Sequence, residues 1–397
     1  MVELPEGLDI VCVAPSDWSS DAPLNVHHVM GRLARRHRIL YVESLGLRAP
    51  GASGRDLGKI TRRLRGWFRG LRPGPDGLHL LSPLVLPWHG NGFARAVNRR
   101  LLLGAVRRAM SRLEMRAPLL WIFLPTGESL VGALGERLVI YHCVDAYAEN
   151  PGVDREAILA LEARLLARCD LVLTTSRALY EEKRPARGVS HYLPNVADSA
   201  LFASGGPVPP ELASLPGPKL GYVGNLAAYK VDLPLLTRVA REHPEWQLCL
   251  VGPVGAGDPG TDVRRLESLS NVHSFGPRPH SELPGWVSGF DVCLIPFQIT
   301  SSTRASFPLK FYEYMAAGKP IVSTPLPALV DYSTRPELCR MATDAESFSV
   351  AVSAALTEDA DSDSIALRRE EALRHGWDTR MPEIEAIVAA ALEETRR

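Results

Sequence analysis

Short apolar runs alternate along the chain with segments whose apolar residues recur every three or four positions. The first pattern predicts buried strands and the second predicts helices. A regular alternation of the two predicts an α/β protein with parallel sheets. The predicted strands are Asp9–Ala14, Arg38–Glu43, Leu119–Leu124, Leu138–His142, Leu171–Thr175, Lys219–Val223, Trp246–Val251, Val272–Phe275, Val292–Pro296 and Pro320–Thr324.

The alternation is interrupted once, over residues 193–219, where Pro, Gly, Ala and Ser dominate as they do in linkers. A length of 397 residues also favours two domains, because a single core rarely grows beyond about 250–300 residues. We therefore expect an N-terminal Rossmann-like domain over 1–205, a C-terminal one over 206–376 and a last helix over 377–397. Two such domains would enclose a cleft between the carboxyl ends of their sheets, where open α/β sheets bind ligands.

The most informative segment runs from Ala305 to Thr324 (ASFPLKFYEYMAAGKPIVST) and predicts a loop, a three-turn helix and a buried strand. Pro308 suits the start of the helix and Gly318 suits its end. The free N–H groups at the helix start favour an anion, and Lys310 adds a full positive charge. Glu313 lies one turn further on, where its carboxylate would accept hydrogen bonds from the sugar hydroxyls of a ligand whose phosphate binds at the helix start.

This segment resembles the donor-binding motif of retaining glycosyltransferases of the GT-B fold, glycosyltransferase family 4. Phe307, Pro308 and Leu309 match the family's F-G/P-L sequence, and Glu313 matches the second of its two acids. Ala305 stands where the family has its first acid, which is assigned to the donor sugar. We expect Ser302, Thr303, Arg304 or Ser306 to take over part of that contact.

A second resemblance covers Gly221–Leu236 (GYVGNLAAYKVDLPLL), which is similar to the motif that opens the family's C-terminal domain. In the family an Arg and a Lys of this motif bind the diphosphate. Lys230 stands at the Lys position, Gly224 fits the tight turn after the strand, and Asn225 replaces the Arg. We expect Lys310 or Arg304 to compensate for the missing charge.

A third resemblance, over Phe275–Arg278, implies that Arg278 lies near the nucleobase. The loop Gly252–Gly257 (GPVGAG), taken alone, also fits a dinucleotide-binding fold, but it lacks the G-x-G-x-x-G spacing. The donor-binding set implied by the three resemblances is Gly224, Asn225, Lys230, Arg278, Arg304, Phe307, Pro308, Leu309, Lys310 and Glu313.

In the N-terminal half, polar residues follow two predicted strands. Asn25, His27 and His28 come after the first strand and resemble the family's acceptor loop, although a His there is also a common surface cap. His142 and Asp145 end a later strand, where the resemblance implies contact with the donor sugar; otherwise they cap the next helix.

The resemblance implies a two-domain GT-B fold, with the last helix packing back towards the N-terminal domain, and transfer of a sugar from a nucleotide-diphosphate-sugar with retention of configuration. We assign catalytic roles to Asp145, His142, Lys230 and Lys310, and name no nucleophile. Because cations and a helix start stabilise a leaving diphosphate, we expect neither a metal ion nor another cofactor. Two alternatives stay open: an inactive homologue that serves as a sugar-nucleotide-binding scaffold subunit, and a nucleotide-sugar epimerase of the same fold.

The chain is electrically balanced, with 45 basic and 45 acidic residues, but between Arg32 and Arg116 there are 19 Arg or Lys and four acids. The densest run, Lys59–Arg72 (KITRRLRGWFRGLR), contains Trp67 and Phe68 as well. It is either a solvated basic helix or a face for an anionic membrane surface or acceptor. No nucleic-acid-binding motif accompanies it, so we expect no nucleic-acid partner.

No apolar run approaches the roughly 20 residues that a bilayer span needs, and the N-terminus lacks the basic start of a signal peptide. Six scattered cysteines without CxxC pairs predict buried, reduced thiols. We therefore expect a cytoplasmic enzyme, peripheral at the inner face of the membrane if the basic run contacts lipid. Its partners would be a nucleotide-sugar donor and either a small-molecule or a lipid-linked acceptor.

Overall fold

A computed structural model describes residues 3–19, 23–44, 70–83, 92–358 and 363–395. The chain divides into a first unit, Met1–Pro194 with Met381–Arg397, and a second unit, Asn195–Arg380. Each described unit is built around one largely parallel sheet, which confirms the predicted α/β class. All six cysteines are free and buried, as predicted.

The sheet of the first unit has eight strands in the described residues, in the order β3-β4-β2-β1-β5-β6-β7-β8, with only β3 antiparallel to its neighbour. Its central strands consist almost entirely of buried apolar residues, as expected for a parallel sheet covered on both faces. The strands are β1 Asp9–Val13, β2 Arg38–Val42, β3 Leu71–Pro73, β4 Leu78–Leu81, β5 Leu119–Ile122, β6 Leu138–Cys143, β7 Leu171–Thr174 and β8 Val189–Tyr192.

The sheet of the second unit is parallel throughout its six described strands, in the order β11-β10-β9-β12-β13-β14. Renumbered from its first strand, this order is 3-2-1-4-5-6, the order of a Rossmann sheet. The order reverses between β9 and β12, so the loops that follow these two strands diverge at their carboxyl ends. The strands are β9 Lys219–Val223, β10 Gln247–Val251, β11 Val272–Gly276, β12 Val292–Ile295, β13 Ile321–Ser323 and β14 Arg340–Met341.

Several helices begin at a side-chain cap, which is the local signal that sets their start. Asp154, Ser176, Asp232 and Asp344 each accept a hydrogen bond from a backbone N–H in the first turn of the helix that follows. The described helices are α1 Asn25–Leu33, α2 Gly92–Arg112, α3 Arg155–Leu166, α4 Arg177–Glu182, α5 Ser199–Ala203, α6 Pro210–Ala213, α7 Leu233–Glu242, α8 Arg264–Glu267, α9 Leu283–Ser288, α10 Ser301–Arg304, α11 Lys310–Ala316, α12 Ala345–Leu356, α13 Asp363–Arg374 and α14 Trp377–Glu394.

The division between the units falls at Pro194, earlier than the predicted boundary at residue 205. The reason is that the start of the predicted linker packs within the second unit. Ala197 pairs with Gly376 in an isolated bridge, and the Ser199 hydroxyl donates a hydrogen bond to the Ala372 carbonyl at 2.8 Å. The segment also contains the short helices α5 and α6, so it is folded structure and not an extended connector.

The predicted last helix is α14, and its residues from Met381 onwards group with the first unit. There Arg36 of the first unit forms an ion pair with Glu385, 3.1 Å apart. The strands that the apolar pattern did not predict are β3, β4, β8 and β14, which lie at or next to sheet edges. Three of these four have partly exposed side chains throughout, so their apolar pattern is weak. Exposure is not the whole reason, because the partly exposed edge strand β11 was predicted.

Candidate functional site

The loops after β9 and β12 lie at the point where the strand order of the second unit reverses. Gly224 follows directly after β9, and Phe297 follows β12 by two residues. Ligands of open α/β sheets bind in the crevice at such a reversal, outside the carboxyl ends of the strands. The candidate site therefore lies at this reversal, and several of the residues predicted from the sequence are found around it.

Two lysine ammonium groups approach the same aromatic ring at this position. The Lys230 Nζ atom lies 5.0 Å from the centre of the Phe297 ring, and the Lys310 Nζ atom lies 4.6 Å from it. The Lys310 Nζ atom is also 4.9 Å from the centre of the Tyr222 ring. Both rings are almost fully buried, so the two ammonium groups make cation–π contacts with side chains that are fixed by packing.

The electrostatics of this cluster favour an incoming anion. Burial and the neighbouring Lys230 charge lower the pKa of Lys310, because each makes its ammonium form harder to maintain. Burial raises the pKa of Glu313, and the Asp198 carboxylate raises it further, against the opposing effect of Lys310. A dianionic group between the two lysines would relieve their mutual repulsion and favour the charged form of Lys310.

Gly224 leaves the space that the Lys310 side chain occupies. A Cβ atom at Gly224 would lie 3.1 Å from Lys310 Nζ and 3.2 Å from the Tyr222 hydroxyl oxygen, and its φ of +142° disfavours other residues. Gly252, after the next strand, is equally required, since a Cβ there would lie 2.1 Å from the Gly224 carbonyl oxygen. The two glycine loops therefore pack backbone against backbone beside the lysines.

Asn225 stands where the motif that this segment resembles has an Arg, and its side chain binds the neighbouring loop. Its amide nitrogen donates to the Ala256 carbonyl at 2.7 Å, and its amide oxygen accepts from the Ala256 N–H at 3.0 Å. The Asn225 side chain thus joins the loops after β9 and β10. In this structure it supports the wall of the site, and the second cation of the site is Lys310.

Helix α11 carries Lys310 and Glu313 in its first turn and is anchored to the sheet beneath them. The Tyr314 hydroxyl accepts a hydrogen bond from the Val223 N–H at 2.9 Å, which fixes the helix to the end of β9. The Phe307 ring stacks on the Tyr312 ring at 5.0 Å. Phe307 and its neighbour in the motif, Pro308, are buried, whereas Leu309 is half-buried, so the F-P-L sequence packs the helix into the core.

Ala305, at the position of the missing acid, is buried at the end of the short helix α10, and Arg304 beside it is exposed. Two of the hydroxyls expected to replace the acid are engaged locally. The Thr303 hydroxyl donates to the Gln298 carbonyl, and the Ser306 hydroxyl donates to the Ser302 carbonyl at 3.0 Å. The donor role of Arg304 stays a prediction.

Arg278 lies in the loop after β11. Its guanidinium forms an ion pair with Glu211, 3.2 Å apart, and lies 4.9 Å from the centre of the Trp286 ring. These two contacts hold its side chain in one place at the rim of the second unit. Its predicted position near a nucleobase is not tested by this arrangement.

In the first unit, the reversal of strand order falls between β1 and β5, and the loop after β1 leads into α1 with Asn25, His27 and His28. His27 Nδ1 accepts the Leu24 N–H at 2.8 Å, and His27 Nε2 lies 3.1 Å from the Asp17 carbonyl oxygen. The ring therefore caps α1, and burial lowers its pKa. His28 Nδ1 lies 3.4 Å from a guanidinium nitrogen of Arg32. Acceptor binding by these residues stays a prediction.

The structure separates His142 and Asp145 more than the sequence suggested. His142 is fully buried inside β6 and stacks on the Phe123 ring, with 4.7 Å between the ring centres. Asp145 lies past the strand end and is half-buried; its carboxylate accepts the Ala146 N–H at 3.0 Å. Asp145 is thus the better placed of the two to reach a ligand, and both catalytic assignments remain predictions.

A buried ion pair that the sequence analysis did not identify lies beneath this strand end. Lys183 donates to one oxygen of Glu162 at 2.8 Å, and Tyr141 of β6 donates to the other at 2.6 Å. Burial alone would lower the pKa of Lys183, but the hydrogen bond and charge of Glu162 outweigh it and raise that pKa. Glu162 and Lys183 belong to no recognisable sequence motif, so only the folded structure shows that they form an ion pair.

Most of the basic run Lys59–Arg72 lies outside the described residues. Its last member, Arg72, forms an ion pair at 2.7 Å with the buried Glu43, which also accepts the Trp18 N–H. Arg72 thus has a structural partner in the first unit.

Within the described ranges, no helix is both long and apolar enough to cross a membrane. No group of three or more His, Cys, Asp or Glu side chains in those ranges is arranged to hold a metal ion.

Residues 217–358, which include Gly224, Lys230, Lys310 and Glu313, match the family model described as glycosyl transferases group 1. The chain is also 29% identical over 223 residues to a protein of Bacillus subtilis (strain 168) named for teichuronic acid biosynthesis, the glycosyltransferase TuaH. That similarity covers 53% of this chain and 56% of TuaH, little more than half of the relative's length.

Solved structures show the fold over nearly the whole chain. Sucrose-phosphate synthase from Thermosynechococcus elongatus superposes with a TM-score of 0.71 at 17% identity, covering 98% of this chain and 100% of that one. HepE from Anabaena, solved in complex with UDP-glucose, gives a TM-score of 0.66 at 13% identity, covering 96% and 100%. Both units together thus have the GT-B fold, as the sequence motifs predicted.

Proposed function

We propose that this GT-B chain is a retaining glycosyltransferase that moves a sugar from a nucleotide-diphosphate-sugar to an acceptor in the biosynthesis of a cell-surface glycan or a secondary metabolite. The observation that carries the proposal is the convergence of Lys230 and Lys310 on Phe297 at the strand-order reversal, within the segment similar to glycosyl transferases group 1. The similarity to TuaH supports glycan biosynthesis as the setting.

The chemistry of the leaving group explains why two cations are needed. When the glycosidic bond breaks, the sugar gains oxocarbenium character and negative charge grows on the departing diphosphate. In this proposal, Lys230 and Lys310 stabilise that growing charge. Their mutual repulsion is relieved as the charge develops, so their contribution increases towards the transition state. We infer that this pair performs the neutralisation for which other transferases use a divalent metal ion.

The donor would bind with its diphosphate at the lysines and its hydroxyls near Glu313. A half-buried carboxylate in the first turn of α11 is suited to accept hydrogen bonds from ribose or sugar hydroxyls. HepE is solved with UDP and with UDP-glucose, so uridine nucleotides are the first ligands to test. Asp145 and His142 in the first unit are our candidates for contact with the transferred sugar, and Asn25, His27 and His28 for the acceptor.

The decisive experiment incubates the protein with a panel of nucleotide-sugars, with and without candidate acceptors, and follows nucleotide release together with the shift in melting temperature. Acceptor-dependent release with retained anomeric configuration supports the proposal, and release that requires added divalent metal contradicts the inferred role of the lysines. Turnover of the donor without any acceptor would instead indicate an epimerase. Binding without release under every condition would indicate the scaffold alternative.

The acceptor is either lipid-linked or a soluble small molecule. The basic run Lys59–Arg72, with Trp67 and Phe68, supports a lipid-linked acceptor presented at the cytoplasmic leaflet, because each basic residue near an anionic surface contributes about 1 kcal/mol. Co-sedimentation with anionic vesicles tests this. Binding that survives replacement of Arg62, Arg63, Arg65 and Arg69 with Glu would exclude this run as the membrane contact.

A further inference from the structure

Helix α2 of the first unit carries a concentration of positive charge that nothing in the described residues neutralises. It spans Gly92–Arg112, and its sequence contains six Arg and no acid. Five of the six have described side chains, and all five are exposed. These five residues are Arg99, Arg100, Arg107, Arg108 and Arg112.

Among the described residues, none of these five guanidinium groups is paired with a carboxylate. Arg107 donates to the Ala133 carbonyl at 2.7 Å, and Arg108 donates to the Gly104 carbonyl of its own helix at 3.0 Å. Other arginines of the same unit have acidic partners. The paired ones include Arg36, Arg38, Arg155, Arg164, Arg168 and Arg187.

The charges lie on the outer face of a helix that is otherwise well anchored. Leu102 and Val106 are buried beneath it. Leu101, Arg108 and Arg112 are spaced by seven and four residues, so they share one face, and the Leu101 side chain is 39% exposed. Arginines therefore dominate the outer face of α2, with Leu101 exposed among them.

We propose that the outer face of α2 docks on an anionic lipid surface. Its arginines from Arg100 to Arg112 extend about 18 Å along the helix axis, at a rise of about 1.5 Å per residue. Arginines spread over that length cannot all contact one small anion. A plane of phosphate headgroups can contact them together. This inference goes beyond the proposed glycosyl transfer and does not depend on it.

The test uses the full chain with vesicles of phosphatidylcholine alone and of phosphatidylcholine mixed with phosphatidylglycerol, at low and at high salt. The variant replaces Arg100, Arg108 and Arg112 with Gln, which leaves Arg107 and its contact with the first unit in place. A control variant replaces three exposed, paired arginines with Gln, and so changes the net charge equally. The control positions are Arg155, Arg187 and Arg264.

We expect salt-sensitive binding to the anionic vesicles only. The α2 variant should lose about a hundredfold in partition coefficient, since about 1 kcal/mol per basic residue corresponds to roughly fivefold for each of three. The control should keep wild-type partitioning, and all three proteins should keep the same melting temperature and the same affinity for UDP. The unchanged UDP affinity separates this proposal from the proposed transferase function.

Three results would overturn the proposal. One is wild-type protein that stays in the supernatant with anionic vesicles at low salt. Another is an equal loss in the α2 variant and the control, which would mean that net charge alone decides binding. The last is an α2 variant that keeps wild-type partitioning into the anionic vesicles; if that variant also loses affinity for a soluble anionic polysaccharide, α2 binds a polymer partner instead.

Discussion

Replacing Lys310 with Gln should weaken binding of a nucleoside diphosphate. It should also abolish the uptake of one proton that accompanies this binding. In the free protein, burial and the Lys230 charge lower the pKa of Lys310 from its ordinary value of 10.5. A bound diphosphate places negative charge beside the ammonium and raises that pKa again. At a pH between the Lys310 pKa of the free protein and that of the complex, Lys310 is protonated only in the complex. Binding therefore takes up a proton, and the affinity falls as the pH rises.

The size of both effects follows from the site. Each pH unit within that window weakens UDP binding by up to tenfold, about 1.4 kcal/mol, for a single coupled proton. Loss of the expected hydrogen bond from the Lys310 ammonium to the diphosphate should reduce the binding free energy by roughly 1.5–3 kcal/mol. Glu313 acts in the opposite sense, because its pKa is raised in the free protein and hydrogen bonds from sugar hydroxyls favour its charged form.

Isothermal titration of UDP at pH 8 in two buffers of different ionisation enthalpy measures the proton number directly. The terminal phosphate of UDP is fully ionised there, since its second pKa is about 6. Glu313→Gln should retain the proton uptake, whereas Lys310→Gln should abolish it. Lys319→Gln is the matched control, because the Lys319 ammonium donates to the Ser288 carbonyl at 2.8 Å, beyond the far end of α11.

Proton uptake that persists in a folded Lys310→Gln protein would refute the reasoning, because another group would then be responsible. Uptake of zero in both the wild type and Glu313→Gln would equally show that Lys310 is already fully charged without ligand. A loss of UDP affinity as large in Lys319→Gln as in Lys310→Gln would point to overall charge and not to this site.

Four further predictions follow from the same contacts. Glu313→Ala should weaken nucleotide-sugar binding by roughly 1.5–3 kcal/mol, and calorimetry that finds unchanged affinity in the folded variant would remove Glu313 from the donor site. Lys230→Ala should lower turnover more than donor affinity, because charge grows on the leaving group; equal losses in steady-state kinetics would restrict Lys230 to ground-state binding. Asn225→Ala breaks two hydrogen bonds to the loop after β10 and should raise KM for the donor, whereas an unchanged KM would show that the loop does not shape the site. Lys183→Met leaves Glu162 buried without its cation and should lower the free energy of unfolding by about 3–5 kcal/mol, measured by denaturant titration, with partial recovery on adding Glu162→Gln.

The amino-acid sequence by itself determined the fold class, and it identified several candidate site residues. Buried parallel strands are nearly continuous apolar runs, so the central strands of both sheets were visible from the pattern alone. The order and spacing of Lys230, Phe307–Leu309 and Glu313 carried the resemblance to transferases, because such motifs are local in sequence. The edge strands β3, β8 and β14 were missed because their partly exposed side chains form no long apolar run, although the edge strand β11 was predicted.

Only the tertiary structure decided which loops meet. Periodicity says that β9 and β12 are strands, but not that they are neighbours, so it could not show that Lys230 and Lys310 both approach the Phe297 ring. It also could not show that Asn225 binds the loop after β10, because that contact joins residues 31 positions apart. Side-chain partners over such distances depend on strand order and on packing, which are properties of the folded chain and not of any local segment.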